Sequence, residues 1–167
     1  MEYLLNGRWA DRPPYGMGNA NLDACDTGWD VGASLDGDGL VKETLLPALP
    51  DAKSPAGADI RFIMDGPCGN MIHSTVPPGQ VNRATVHATV SEFWFVLEGQ
   101  GEIWRKDGPE ERVTPLQSGV SIDVPVGTAF QYRNVGEVPL TFICISMPPW
   151  PGDHEATHLP GPWAPTI

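Results

Sequence analysis

The sequence has little basic charge. Ten Lys and Arg stand against 21 Asp and Glu, and the net charge is −11 at neutral pH. A field of that sign repels phosphate backbones and anionic lipid surfaces, and no basic run offsets it. Neither nucleic acid nor a membrane is therefore an expected partner. Cysteine is also scarce. Cys25, Cys68 and Cys144 are odd in number, widely spaced and without a CxxC pair, which argues against a disulfide framework or a zinc knuckle. No stretch approaches the ~20 apolar residues of a membrane span. The N-terminus lacks an apolar core of signal-peptide length, so a soluble, cytoplasmic protein is the expectation. A helical period is missing as well: no segment sustains one over a dozen residues.

Glycine and proline are plentiful, at 19 and 18 residues, and hydrophobic residues make up an ordinary 41%. The 167 residues suffice for one domain with a sizeable core. Residues 1–57 are rich in Gly, Asp and Pro and have no period, which reads as an extended N-terminal arm. From Asp59 onward short apolar runs recur: DIRFIMD, NMIHSTV, RATVHATV, EFWFVLEG, GEIWRKD, ERVTPLQ, VSIDVPV, AFQYRNV and PLTFICISM. Each has strand length and β-branched or aromatic content, and turn residues separate them. Residues 58–147 thus read as an all-β sandwich or barrel. Residues 148–167 form a Pro- and Trp-rich tail; Trp150 and Trp163 suggest that it wraps the barrel and buries its aromatics.

Within this region, GQVNRATVHATVSEFWFVLEG places Gly79, then five residues, Thr85-Val86-His87, four residues, Glu92, six residues and Gly99. Downstream, Gly119, Pro125, Gly127 and Asn134 are spaced in a second pattern with Phe130 inside it. These spacings resemble the two motifs of the cupin superfamily, over about residues 59–147. The resemblance implies a cupin-type double-stranded β-helix, a jelly-roll barrel. Gly79, Gly99, Gly119 and Gly127 would then serve tight turns that favour positive φ.

A typical cupin site uses three imidazoles and one carboxylate. Here His87 and Glu92 occupy two of those positions, while Thr85 and Phe130 replace histidines. Two ligands are fewer than the three that catalytic zinc or iron sites need. No cofactor is therefore favoured. A divalent metal would require a rebuilt set, with His73 from the preceding strand joining His87 and Glu92.

The family's inward-facing positions, carried along each strand, put Arg83, Thr85 and His87 on one inner face. Glu92, Trp94 and Val96 follow on the next strand, and Thr128, Phe130 and Tyr132 on another. The cavity would hold a small-molecule substrate. Some cupins without an ion act as epimerases, isomerases or cyclases. By that resemblance the leading expectation is an enzyme working by metal-independent acid–base chemistry beside a carbonyl. His87 would be the base, Tyr132 or Glu92 the acid and Arg83 the holder of the oxyanion. Thr85, Trp94, Phe130 and His73 would line the substrate site. The alternatives are a metal-dependent oxygenase, isomerase or lyase on the His73–His87–Glu92 set, and a non-catalytic binding protein. Small cupins are commonly dimers, so a homodimer is expected.

Overall fold

The computed structural model describes residues 43–167. Residues 1–42, most of the expected arm, lie outside the described part. Among the described residues, eleven strands form two antiparallel sheets. The first contains β1 (Ala52–Lys53), β2 (Asp59–Asp65), β3 (Asn70–Val76), β10 (Leu140–Met147), β5 (Ser91–Glu98) and β8 (Ser121–Val124), in that spatial order. The second contains β11 (Ala156–His158), β4 (Thr85–His87), β9 (Ala129–Asn134), β6 (Gln100–Asp107) and β7 (Glu110–Gln117). This is the all-β architecture that the apolar runs and turns imply, in the jelly-roll form that the family resemblance implies. Every run named above supplies a strand, although RATVHATV contributes only the short β4. β1 lies within the stretch assigned to the arm, yet it pairs with β2 as part of the first sheet.

The sheets face each other across an apolar core that includes Trp94, Val96, Ile103, Leu116, Leu140 and Phe142. Strand alternation decides which residues enter it. On β5, Glu92, Trp94 and Val96 are buried, while Phe93, Phe95 and Leu97 are exposed on the outer face. The four motif glycines all adopt positive φ. Gly99, at φ 89°, has a second constraint: a Cβ there would come within 2.5 Å of the Pro139 carbonyl oxygen. Only glycine lets the β5–β6 hairpin close against β10.

The tail is tied to the second sheet. Gln131 Nε2 donates to the Trp163 carbonyl at 2.8 Å, and Trp163 N donates back to Gln131 Oε1 at 3.0 Å. The Arg133 guanidinium lies 4.2 Å from the Trp163 ring centroid. Cys68, between β2 and β3, is disulfide-bonded, although the cysteine count argues against such pairing. Cys144 is a buried free thiol, as its apolar strand suggests. Among the described residues no helix is long and apolar enough to cross a membrane.

Candidate active site

Between the sheets lies a cavity of about 90 Å³. At ~30 Å³ per water in the liquid, that is room for about three water molecules, or one very small organic molecule. β4 brings Thr85 and His87 to it, β5 brings Glu92 and Trp94, and β9 brings Phe130 and Tyr132. Thr85 is the cross-strand partner of Phe130, and Glu92 is the partner of Ser146 on β10. The register therefore places the motif residues together from three strands.

His87 is 5% exposed, and its Nδ1 is buried without a hydrogen-bond partner. Its ring meets Phe130 edge-on at 5.0 Å and Trp150 edge-on at 4.9 Å between centroids. Burial among these rings pushes the imidazole pKa below 6.5, against the opposing pull of the Glu92 and Glu155 carboxylates. His87 is thus neutral at neutral pH, the form that can accept a proton. Glu92 accepts a hydrogen bond from Trp94 Nε1 at 2.9 Å and another from Ser146 Oγ at 3.2 Å. Trp94 stacks on Phe142 at 4.3 Å. Its indole thus fixes the carboxylate while its ring belongs to the core. Burial pushes the Tyr132 phenol well above its usual range, and Ser54 and Ser74 lie beside its hydroxyl. Tyr132 therefore remains a proton donor across the working pH range.

Two expected site residues are elsewhere. Arg83 does not face the cavity; it lines a groove under the tail with Gln131, His158 and Trp163. Regular pairing in β4 begins only at Thr85. Just before it, Arg83 N bonds the Ala56 carbonyl and Asn82 N bonds the Tyr132 carbonyl, so alternation does not extend back. Arg83 therefore cannot hold an oxyanion in the cavity, nor pair there with Glu92. His73 also departs from its expected place. Its strand neighbours Asn70, Ile72 and Ser74 line the cavity, so His73 points to the opposite face, in register with Arg61 and Ile143. It is buried there with an unpartnered Nδ1, and desolvation followed by the Arg61 charge lowers its pKa.

The metal set inferred from sequence is corrected by the same observation. With His73 outside, the four motif positions offer one imidazole, one carboxylate, a threonine and a phenyl ring. Among the described residues no group of three His, Cys, Asp or Glu side chains could hold an ion. The Glu92 carboxylate is already engaged by Trp94 and Ser146. These donors do not fit a resident catalytic metal.

The cavity also has walls that the motifs do not reveal. Lys53, Ser54, Ser74, Ser146 and Asp153 add polar groups, and Trp150 closes one side over His87. The tail's aromatic content implies that Trp150 buries its ring, but nothing in its proline-rich neighbourhood indicates which residue it covers. Glu155 is 2% exposed and stands behind the His87 strand. No motif or periodicity points to it.

Comparison with known proteins agrees with this architecture. The cupin-domain family model matches residues 72–146. An uncharacterized protein of Methanocaldococcus jannaschii is 31% identical over 90 residues, which cover 54% of this chain and 67% of that protein. The capsular polysaccharide assembling protein CapF of Staphylococcus aureus superposes with a TM-score of 0.59 at 18% identity. That match covers 69% of this chain but only 34% of CapF, so the chain spans about a third of that protein's length. Pac13, a nucleoside dehydratase, superposes with a TM-score of 0.54 at 16% identity, covering 72% of this chain and 91% of Pac13. At these identities the solved structures share the fold.

Proposed function

The chain belongs to the cupin family, and from the two ligand positions it retains we propose an enzyme that moves protons beside a carbonyl without a metal. The observation that carries this reading is His87, a buried neutral imidazole in an aromatic cavity. Its Nδ1 is buried without a hydrogen-bond partner; on this reading Nε2 meets the bound molecule. The reaction class is isomerisation, epimerisation or cyclisation of a small carbonyl compound. His87 takes a proton from the carbon next to the carbonyl, and the electron pair moves onto the carbonyl oxygen. Tyr132, which keeps its proton, donates a hydrogen bond to that oxygen. The Glu92 and Glu155 carboxylates favour the imidazolium formed in this step. Return of the proton to the other face of the same carbon completes an epimerisation. Return to the neighbouring carbon, with the hydroxyl proton passing between the two oxygens, completes an isomerisation. In a cyclisation the enolate carbon instead closes the ring onto a second carbonyl carbon of the same molecule, whose oxygen takes the proton from His87. The small cavity restricts the substrate to a compact molecule. Pac13 is a precedent for an enzyme on this fold in a chain of similar extent.

The test works with the natural substrate still unidentified. The protein is incubated in D₂O with a panel of small 2-hydroxy aldehydes, ketones and keto acids, and loss of the carbon-bound proton is followed by NMR. The wild type is expected to wash deuterium into at least one compound. His87→Ala should abolish the exchange, and a chelator should leave it unchanged. Loss of exchange on chelation would instead support a metal-dependent reaction. Binding of a compound that is returned without exchange would support a non-catalytic binding protein.

A further inference from the structure

Glu155 lies in a short 3₁₀ turn, Asp153–Glu155, and is the most deeply buried carboxylate among the described residues, 2% exposed. No cation pairs with it among those residues. A buried charge of this kind must be met by hydrogen bonds. The three donors all come from the two residues that lead from the β4–β5 turn into β5. Thr89 N and Val90 N donate to Oε1, the latter at 2.7 Å, and Thr89 Oγ1 donates to Oε2 at 2.8 Å. The Glu155 carbonyl accepts Ala88 N at 3.1 Å. Next to it, β11 pairs with β4 so that Ala156 stands opposite His87. The tail thus secures the backbone on both sides of His87, residue by residue from Thr85 to Val90.

We propose that Glu155 is a positioning residue for His87: a tail carboxylate that fixes the turn behind the ring and keeps a negative charge near it. A neutral tether would fix the turn equally well. The carboxylate adds a field that favours a proton on His87 in a cavity whose walls oppose one. The other charged or titratable groups around the ring are Glu92 from β5 and, lining the same cavity, Lys53, Asp153, Tyr132 and Cys144. His158 Nδ1 lies 3.4 Å from Thr85 Oγ1 on the neighbouring strand. The catalytic value of this arrangement rests on the proposed function, but the positioning itself does not.

Two substitutions separate tether from charge. In Glu155→Gln the amide oxygen still accepts from the two N–H groups, and the amide nitrogen donates to the Thr89 hydroxyl, so the turn holds and the charge is gone. Glu155→Ala removes both. NMR titration of the His87 ring and amide hydrogen exchange at residues 88–90 read the two effects without any substrate. Glu155→Gln should lower the His87 titration midpoint with the Thr89 and Val90 amides still protected. Glu155→Ala should speed their exchange roughly 10- to 100-fold, the loss of a charge-assisted hydrogen bond. An unchanged or raised midpoint in Glu155→Gln would overturn the proposal, as would undiminished amide protection in Glu155→Ala. Glu155→Gln carries the test where Glu155→Ala fails to fold. If His87→Ala leaves deuterium wash-in intact, the proposed function fails while this titration result stands.

Discussion

Restoring the two absent histidines should rebuild an ion site. Thr85 and Phe130 are cross-strand partners, 1% and 2% exposed, and both line the cavity with His87 and Glu92. The His87 and Phe130 ring centroids are 5.0 Å apart. Two imidazoles on one ion, each with its nitrogen ~2.1 Å from the metal, have ring centres at about this separation. The double variant Thr85→His, Phe130→His therefore presents three imidazoles and a carboxylate. Without metal it should lose stability. Phe130 gives up aromatic contacts with Trp94 and Tyr132, and histidine at 85 overfills a packed site. Together these changes cost about 3–5 kcal/mol. Metal at a thousandfold excess over its Kd returns ~4 kcal/mol. For a chain of this size that is roughly 8–16 °C in Tm. Differential scanning fluorimetry with Zn²⁺ or Ni²⁺ reads this directly. The variant's Tm should rise by that amount, while the wild type's should not move. An equal rise in the wild type would show that the native side chains already hold the ion. A folded variant that ignores the metal would show that the two positions do not converge on one point.

Other expectations follow from the same geometry. His87 and His73 both have pKa values lowered below 6.5, so each binds a proton more readily in the unfolded chain. Stability should therefore rise with pH from their lowered values up to about 6.5 and level off above, with a slope of at most ~1.4 kcal/mol per pH unit for each group. Urea denaturation of His87→Gln should show a shallower slope in that window, and an identical slope would contradict the assignment. Arg83→Ala should leave deuterium wash-in within about twofold of wild type, because the side chain lies under the tail; a loss of tenfold or more would return Arg83 to the site. The outer face of the first sheet exposes Phe93, Phe95 and Leu97 at 52, 47 and 40%. Leu45 and Leu49 stand out at 94 and 78% in the segment that Arg61 holds by the Pro47 and Ala48 carbonyls on the same face. A two-fold axis would cover sheet and segment together, so light scattering should give a homodimer of twice the 18.0 kDa chain mass. Phe93→Glu should make it monomeric, and a wild-type species of 18.0 kDa would end the dimer reading.

The barrel is legible in the sequence because its signals are local and agree with one another. The four motif glycines sit at positive φ, and the apolar runs between turns become strands. Within β5 the alternation alone separates Glu92 and Trp94 from Phe93 and Phe95. Alternation fails where a strand stops. Arg83 lies two residues before β4 begins, in backbone committed to Ala56 and Tyr132. His73 escapes it for a different reason. β3 carries polar and apolar residues on both faces, so its phase is set by pairing with β2 and β10 rather than by its own pattern. Trp150 and Glu155 are beyond reach because their contacts are remote. Glu155 binds residues 65 and 66 positions earlier, and no periodicity encodes that separation.

Catalysis without a metal is tested most directly by the metal content of tag-free protein purified without chelators, measured by mass spectrometry alongside its deuterium wash-in. The expected result is active protein with metal far below one equivalent and no gain on adding divalent ions. Near-stoichiometric metal whose removal ends the exchange would contradict it, and would show that His87 and Glu92 hold an ion with donors other than His73.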